Sequence, residues 1–219
     1  MSALIAAPPT QTGAKPGVVV ACGDSLTQPF PAQVSTAGWW SQLNVPLKGQ
    51  LPTVRAIFGG GWDNITTPSS LTIINGAFDA TAPWNLCIAW CGTNDLATGT
   101  TPAATYAKAQ TFAASINPGF HLLYITTIPR SGLSQATINA YNALLLAPPF
   151  VGAGVVAGSA PIDLTPLNGN PLVTSDTTLY SDGIHLTRLG QGPIITFPSA
   201  FSLVANINTA VRGYLAGLP

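Results

Sequence analysis

Short apolar runs alternate along this chain with segments whose apolar residues recur at helical spacing. The runs cover 18–22, 53–58, 86–91 and 122–128, and a weaker run broken by glycines lies within 151–162. Short, nearly continuous apolar runs are typical of strands that are buried on both faces, as in a parallel sheet. We therefore predict five strands from the hydrophobic pattern.

Helical spacing marks the segments between and after these runs. One helix is predicted to begin after Thr101, an N-cap residue followed by proline, and to end at Asn-Pro-Gly in 117–119. Further helices are predicted over 39–47, 135–146 and 199–215. Strands that alternate with helices predict an α/β fold, here a three-layer α/β/α flavodoxin-like sandwich with a mostly parallel five-stranded sheet.

The chain is predicted to form a single domain. Its 219 residues are enough for one substantial core, and no internal repeat or linker divides them. We assign the domain to 1–219, with 1–16 as an N-terminal extension.

Composition narrows the classes of partner. Hydrophobic residues make up 47% of the chain and charged residues only 6%, against roughly 25% charged residues in an average globular protein. The formal net charge is zero, and the basic residues form no cluster. We therefore expect neither nucleic acid nor a membrane surface as a partner.

The sequence is compatible with more than one cellular location. Residues 1–17 lack the basic start and continuous apolar core of a secretory signal, so no signal peptide is predicted. No window approaches 18 consecutive apolar residues, so no transmembrane segment is predicted either. A cytoplasmic protein and a particle-associated protein both agree with these features.

The cysteines, Cys22, Cys87 and Cys91, show no metal-binding spacing. Buried thiols are the favoured interpretation, because nothing indicates an oxidising compartment. The alternative is a Cys22–Cys91 disulfide, since each of these cysteines precedes a glycine at the end of a predicted strand.

Four short motifs carry the candidate chemistry. They are Gly23-Asp24-Ser25-Leu26, Gly59-Gly60-Gly61, Gly92-Thr93-Asn94-Asp95 and Asp182-Gly183-Ile184-His185. The first three directly follow predicted strands. In an open α/β sheet, ligands bind at the carboxyl ends of the strands, so we expect these motifs to meet at one edge.

The motifs contain the components of a nucleophilic site. A serine hydroxyl needs a base to take its proton, and His185 is the candidate base for Ser25. Asp182 can accept a hydrogen bond from the other ring nitrogen of this histidine. The second histidine, His121, opens a predicted strand with no acidic residue near it, and we expect no catalytic role for it. An isolated Asp-x-x-His pair is more often a surface turn.

An oxyanion hole can be assembled from the same motifs. The backbone N–H groups of Gly61 and Ser25 and the side-chain amide of Asn94 are its candidate donors. Each of these residues taken alone is better explained as part of a turn or loop.

Taken together and in this order, the four motifs resemble the SGNH/GDSL hydrolase family over roughly residues 18–195. Further similarities are Gly38-Trp39, Ile128-Pro129, Tyr141-Asn142, Leu186-Thr187 and Leu189-Gly190. The resemblance implies Ser25 as nucleophile, His185 as base, Asp182 as its partner, and Ser25, Gly61 and Asn94 as the oxyanion hole.

The second motif departs from the family pattern of glycine followed by a polar residue and threonine. Gly61 is followed by Trp62, which leaves Gly60 as an alternative donor. Asp24 and Asp95 are expected to hold the loops by accepting hydrogen bonds from the backbone.

The resemblance implies a serine hydrolase that cleaves carboxylic esters without a metal or organic cofactor. Short-chain acyl esters and carbohydrate O-acetyl esters are the favoured substrates, and oligomeric state is not indicated. Two alternatives remain open: an acyltransferase with the same residues, and a non-catalytic carbohydrate-binding or structural particle protein, which the low charge would suit. Trp39, Trp40, Trp62 and Trp84 could stack on a sugar or fill the core; the core is favoured for Trp39.

Overall fold

The fold is built on a parallel sheet of five strands. The computed structural model describes residues 15–28, 38–48, 52–147, 159–167, 174–177, 180, 182–186 and 203–218. The strands are β1 (Val18–Gly23), β2 (Thr53–Ala56), β3 (Asn85–Trp90), β4 (His121–Ile125) and β5 (Ser159–Ile162). They lie in the order β2-β1-β3-β4-β5, and every neighbouring pair is parallel. This is the strand order of flavodoxin-like sheets, as predicted.

Six α-helices accompany the sheet in the described part of the chain. They are α1 (Trp62–Ile65), α2 (Pro68–Gly76), α3 (Thr93–Ala97), α4 (Pro102–Ser115), α5 (Gln135–Leu146) and α6 (Leu203–Ala216). The predicted start of α4 is confirmed, because the Thr101 side chain accepts a hydrogen bond from the N–H of Ala104. The prediction for α5 is confirmed over its full length.

Side chains alternate between two cores, one on each face of the sheet. Val19 and Ala21 of β1 point into a core shared with α6 and the tryptophans at 39 and 40. Val20 and Cys22 point into the other core, which is filled by side chains from α1, α2, α4 and α5. Because β1 and β3 lie between other strands and are covered on both faces, their sequences are apolar without alternation. The three-layer prediction is therefore confirmed.

The prediction of a helix over 39–47 is largely wrong. Only a short 3-10 turn, Trp39–Gln42, forms there, and Leu43 is already extended. Pro46 disfavours a helical conformation for Val45, and Leu47 instead forms a parallel bridge with Gly17 beside the sheet. The apolar residues of this segment therefore pack into and against the core without forming a complete helix.

Several smaller predictions have clear outcomes. All three cysteines are buried free thiols, so the alternative of a Cys22–Cys91 disulfide is wrong. Cys22 instead contacts Cys87, and their Sγ atoms lie 3.6 Å apart. The four tryptophans considered as sugar platforms are all buried in the core. None of the helices in the described part of the chain combines the length and apolarity needed to cross a membrane. The predicted extension 1–16 and the start of the last predicted helix, 199–202, lie outside the described residues, apart from 15 and 16.

Candidate active site

The strand order brings the first and third motifs side by side. From β1 the chain continues to β2 at one edge of the sheet, whereas from β3 it continues to β4 in the opposite direction. The neighbouring strands β1 and β3 therefore flank the topological switch point, where α/β sheets bind ligands. Ser25 comes two residues after the end of β1, and Asn94 lies in the first turn of α3, which follows β3. Both motifs therefore lie at the carboxyl edge of the sheet beside the switch point.

Glycines let the chain turn sharply at both strand ends. A Cβ atom on Gly23 would lie 2.0 Å from the carbonyl oxygen of Trp90 on the neighbouring strand. Gly92 has a φ of +112°, and a Cβ there would lie 2.8 Å from the hydroxyl of Tyr141. A larger residue at either position would clash, and at Gly92 it would also adopt a strained backbone. These glycines therefore determine where the chain leaves each strand and so where Ser25 and Asn94 lie.

Three predicted site residues form a continuous chain of hydrogen-bonding groups. The Ser25 Oγ lies 2.9 Å from His185 Nε2, and His185 Nδ1 lies 2.7 Å from Asp182 Oδ2. Ser25 is 4% exposed and His185 is 9% exposed, so the contact between them is shielded from bulk water. Residues 160 positions apart in sequence are thus placed in direct contact.

The ionisation of Asp182 fixes the direction of these hydrogen bonds. Burial opposes ionisation of Asp182, but hydrogen bonds donated by His185 and Ile184 outweigh it, and the pKa of this carboxyl lies below its ordinary value. An ionised carboxylate can only accept, so the His185 Nδ1 must carry a proton. In the neutral ring the Nε2 is then unprotonated and can accept the proton of Ser25.

The turn that carries His185 is attached to the loop after β4. The N–H of Ser131 donates to the carbonyl of Gly183 at 2.6 Å. The hydroxyl of Tyr180 donates to the carbonyl of Pro129 at 2.9 Å, and Tyr180 forms an antiparallel bridge with Leu186. The first contact lies within 182–185 and the Tyr180–Leu186 bridge encloses these residues, so the turn is held against the sheet edge.

Asn94 bridges two other loops of the site. Its Nδ2 donates to the carbonyl of Gly60 at 2.9 Å, and its Oδ1 accepts from Nη1 of Arg130 at 2.9 Å. The same Nη1 also donates to the carbonyl of Thr93 at 3.3 Å. The second motif is therefore brought into contact with the third.

The predicted oxyanion donors are unequally available. The Gly61 N–H donates to Oδ1 of Asn64 at 2.8 Å, and the Gly60 N–H donates to the carbonyl of Ile57 at 3.0 Å. The Ser25 N–H, by contrast, has no acceptor among the described residues. Asn94 uses one of its two amide hydrogens for Gly60, which leaves the other for a ligand.

Asp24 and Asp95, the two other aspartates of the first and third motifs, accept hydrogen bonds from backbone N–H groups, as expected. The Oδ1 of Asp24 accepts from the N–H of Leu26 at 2.9 Å, and the Oδ2 of Asp95 accepts from the N–H of Trp62 at 2.9 Å. Burial raises the pKa of Asp24 to about 7, although Arg130 lowers it in part. Asp95 also accepts from Lys108 at 2.9 Å, an ion pair that connects α3 to α4.

Sequence reasoning missed two residues that contact the site. Phe58 stacks on the ring of His185, with centroids 5.7 Å apart and planes 19° apart, and 53% of its surface is exposed. Arg130 contacts Asn94 as described above. The available signals were weak: Phe58 ends an apolar run directly before the glycines, and Arg130 directly follows Ile128-Pro129.

His121 lies far from these groups in the topology. It opens β4, at the amino edge of the parallel sheet, whereas Ser25 follows the carboxyl end of β1. Its Nδ1 lies 3.0 Å from the hydroxyl of Tyr214 on α6. The described residues contain no group of three or more His, Cys, Asp or Glu side chains that could hold a metal ion.

Comparison with known proteins gives a consistent result for the fold. No protein-family model and no curated protein matches the sequence. Among similar solved structures, a lipolytic protein of the G-D-S-L family from Veillonella parvula has a TM-score of 0.61 at 12% identity, covering 91% of this chain and 98% of that one.

Two carbohydrate-active enzymes have a similar backbone. A carbohydrate esterase family 3 protein from Talaromyces cellulolyticus has a TM-score of 0.60 at 18% identity, covering 92% of this chain and 100% of that one. The carbohydrate acetylesterase Est24 from Sinorhizobium meliloti has a TM-score of 0.51 at 16% identity, with the same coverage of 92% and 100%. The chain therefore has the SGNH/GDSL hydrolase fold, as its four motifs predicted.

Proposed function

We propose that this protein is a serine hydrolase that cleaves carboxylic ester bonds, with Ser25 as nucleophile and His185 as general base. The observation that supports this most directly is the hydrogen-bonded series from Asp182 through His185 to Ser25, at the switch point of the sheet. A surface turn that merely contains Asp and His would have no reason to place the histidine on a buried serine hydroxyl. This arrangement is the one that nucleophilic acyl transfer requires.

The reaction proceeds in two steps through an acyl-enzyme. The Ser25 Oγ attacks the ester carbonyl while His185 Nε2 takes its proton, and the resulting imidazolium is stabilised by the Asp182 carboxylate. His185 then donates this proton to the leaving alcohol as the carbonyl–oxygen bond breaks. In the second step, water attacks the acyl carbon while His185 takes its proton. His185 then returns this proton to the Ser25 Oγ as the acyl–oxygen bond breaks and the acid leaves.

Charge on the tetrahedral intermediate is stabilised by the Ser25 N–H and the Asn94 Nδ2. Each of these donors keeps a hydrogen that no described residue accepts and that is therefore available to a ligand. Gly61 remains the proposed third donor, but its N–H can serve only after the Asn64 side chain turns away from it. Gly60 would have to release the carbonyl of Ile57 instead. The site therefore combines ready donors with one that substrate binding must free.

The comparisons support ester chemistry at a coarse level. The neighbours named above include a lipolytic protein, a carbohydrate esterase and a carbohydrate acetylesterase. For this chain we accordingly favour short acyl groups, with acetyl esters of carbohydrates as natural substrates. Acyl transfer to an alcohol would use the same residues and differ only in the second step, where an alcohol instead of water attacks the acyl-enzyme.

Hydrolysis of p-nitrophenyl esters tests the proposed function. We expect release of p-nitrophenol from the acetate, with kcat/KM falling as the acyl chain lengthens from acetate to butyrate and octanoate. Product analysis in the presence of a competing sugar alcohol distinguishes hydrolysis from transfer. A folded protein that cleaves none of these esters and is not labelled by a fluorophosphonate would contradict the proposal.

We infer that Phe58 contacts the alcohol part of the substrate. Because His185 must reach the leaving oxygen, the aromatic ring stacked on His185 lies on the leaving-group side of the ester. Its exposed surface offers a flat apolar face for a ring. An aromatic contact of this kind contributes about 0.5–1.5 kcal/mol.

We therefore expect Phe58→Ala to lower kcat/KM about two- to tenfold for phenyl acetate and by less than about twofold for methyl acetate. Ile73→Ala is the matched control, because Ile73 is the other exposed large hydrophobic residue among those described, at 42%, and lies on α2. Steady-state kinetics on the paired esters measure the effect. An equal loss on both esters would mean that Phe58 serves only to orient His185.

A further inference from the structure

Arg130 makes the contact that determines how the Asn94 side chain is oriented. Its Nη1 donates to Asn94 Oδ1 at 2.9 Å and to the Thr93 carbonyl at 3.3 Å. Guanidinium groups only donate, so the Asn94 atom that faces Arg130 must be the oxygen. On its other side Asn94 faces the Gly60 carbonyl, which only accepts, so the atom there must be the nitrogen. The two contacts together exclude the flipped amide.

The segment that carries Arg130 is itself held at several points. The Asn142 side chain accepts from the Thr127 N–H and donates to the Thr127 carbonyl, both at 2.8 Å. Beyond it, Pro129 accepts from Tyr180, and Ser131 donates to Gly183. Arg130 therefore extends from a fixed loop, and the same loop anchors the turn of His185. One short segment thus connects the proposed base with the proposed oxyanion donor.

Arg130 also acts on the strength of the Asn94 donor. A cation that binds the amide oxygen draws electron density from the amide nitrogen, which strengthens its N–H as a donor. The guanidinium is half-buried, and burial lowers its pKa while Asp24 and Asp182 act in the opposite direction. A charged donor in such a partly shielded position polarises its partner more than it would in water.

We propose that Arg130 is a positioning residue that holds and polarises the Asn94 amide for transition-state stabilisation. This inference rests on the proposed function, because it assigns the purpose of the Asn94 donor to an oxyanion. Loss of one oxyanion-hole donor costs about 10²–10³ in kcat. Misorientation of that donor is expected to cost part of this, about 10–100-fold, with KM changed less than about threefold.

The kinetic test is a double-mutant cycle between Arg130→Met and Asn94→Ala. We expect Arg130→Met to lower kcat about 10–100-fold in the native background and by less than about threefold when Asn94 is already alanine. Arg130→Lys keeps a charged donor and should recover part of the loss. Arg212→Met, on α6, is the control for loss of an arginine. Equal losses in both backgrounds would overturn the positioning role and leave a structural one.

A second readout does not depend on activity. The side-chain amide signals of Asn94 in a ¹⁵N-correlated NMR spectrum are identified as the pair that disappears in Asn94→Ala. We expect this pair to shift and to exchange with water faster in Arg130→Met, but not in Arg212→Met. If wild type cleaves no ester and the pair still responds, the orienting contact stands and the proposed function fails. If the pair does not respond, the inference about Arg130 is wrong whether or not the protein is an esterase.

Discussion

Replacement of Ser25 by alanine is expected to lower kcat for p-nitrophenyl acetate by about 10³–10⁶, with little change in KM. The reason is that the change removes the attacking oxygen and leaves the rest of the site in place. Ser25 is almost fully buried, and the loop around it is held through Asp24, whose carbonyl accepts from Thr27 and Gln28. The fold should therefore survive removal of a single hydroxyl. Steady-state kinetics of p-nitrophenol release measure the loss of kcat.

Ser131→Ala is the matched control for Ser25→Ala. Ser131 is exposed, lies in the loop beside the site, and contacts Gly183 through its backbone N–H, which alanine retains. We expect kcat within about twofold of wild type for this variant. A fluorophosphonate should add to wild type and to Ser131→Ala but not to Ser25→Ala, with the modified peptide containing Ser25. Ester cleavage that persists in Ser25→Ala would refute the nucleophile assignment.

The fold could be predicted because buried parallel strands have nearly continuous apolar sequences. The run at 86–91 lies within one residue of β3, since a strand covered on both faces has no polar positions to interrupt it. The prediction at 122–128 overran β4 by three residues, because Thr126 to Ile128 remain buried beyond the last paired residue. The Thr126 N–H still donates to the carbonyl of Ile162, and in the described part of the chain the two residues after it form no hydrogen bond to β5. Apolar runs therefore report burial, and burial continues past the hydrogen-bonded ladder.

Short helices were harder to predict, for two different reasons. The start of α2 carries the same Thr-Pro signal at Thr67 and Pro68 that correctly predicted α4, with the Thr67 side chain accepting from Ser70. This helix was missed although its local signal was present. By contrast, α1 and α3 span only four and five residues. Helices of that length have little intrinsic stability, so packing and loop contacts form them.

The candidate site was predictable to the extent that its residues lie in local motifs. Ser25, Asn94, Asp182 and His185 stand in motifs whose order in the chain could be read directly. Arg130 could not be found in this way, because its role depends on reaching Asn94 across 36 positions of sequence. The choice between Gly60 and Gly61 likewise depends on what each N–H contacts, which a run of three glycines does not encode.

The two histidines of the chain allow an internally controlled test of the base. We expect His185→Ala to lower kcat by about 10³–10⁶, similar to Ser25→Ala, because without the base the serine hydroxyl keeps its proton during attack. His121 lies at the other edge of the sheet and contacts Tyr214. His121→Ala should therefore leave kcat within about twofold of wild type while lowering the free energy of unfolding by about 0.5–1.5 kcal/mol.

Combining the two changes at the base and nucleophile separates a catalytic role from a structural one. If Ser25 and His185 act as one unit, the double variant Ser25→Ala/His185→Ala should be about as slow as either single variant, because each change already disables the same step. Losses that multiply would mean that the two residues contribute independently. Thermal unfolding of wild type, the two single variants and the double variant shows whether any loss of kcat reflects misfolding instead. A large loss of kcat in His121→Ala, with the fold intact, would contradict the assignment of His185 as the base.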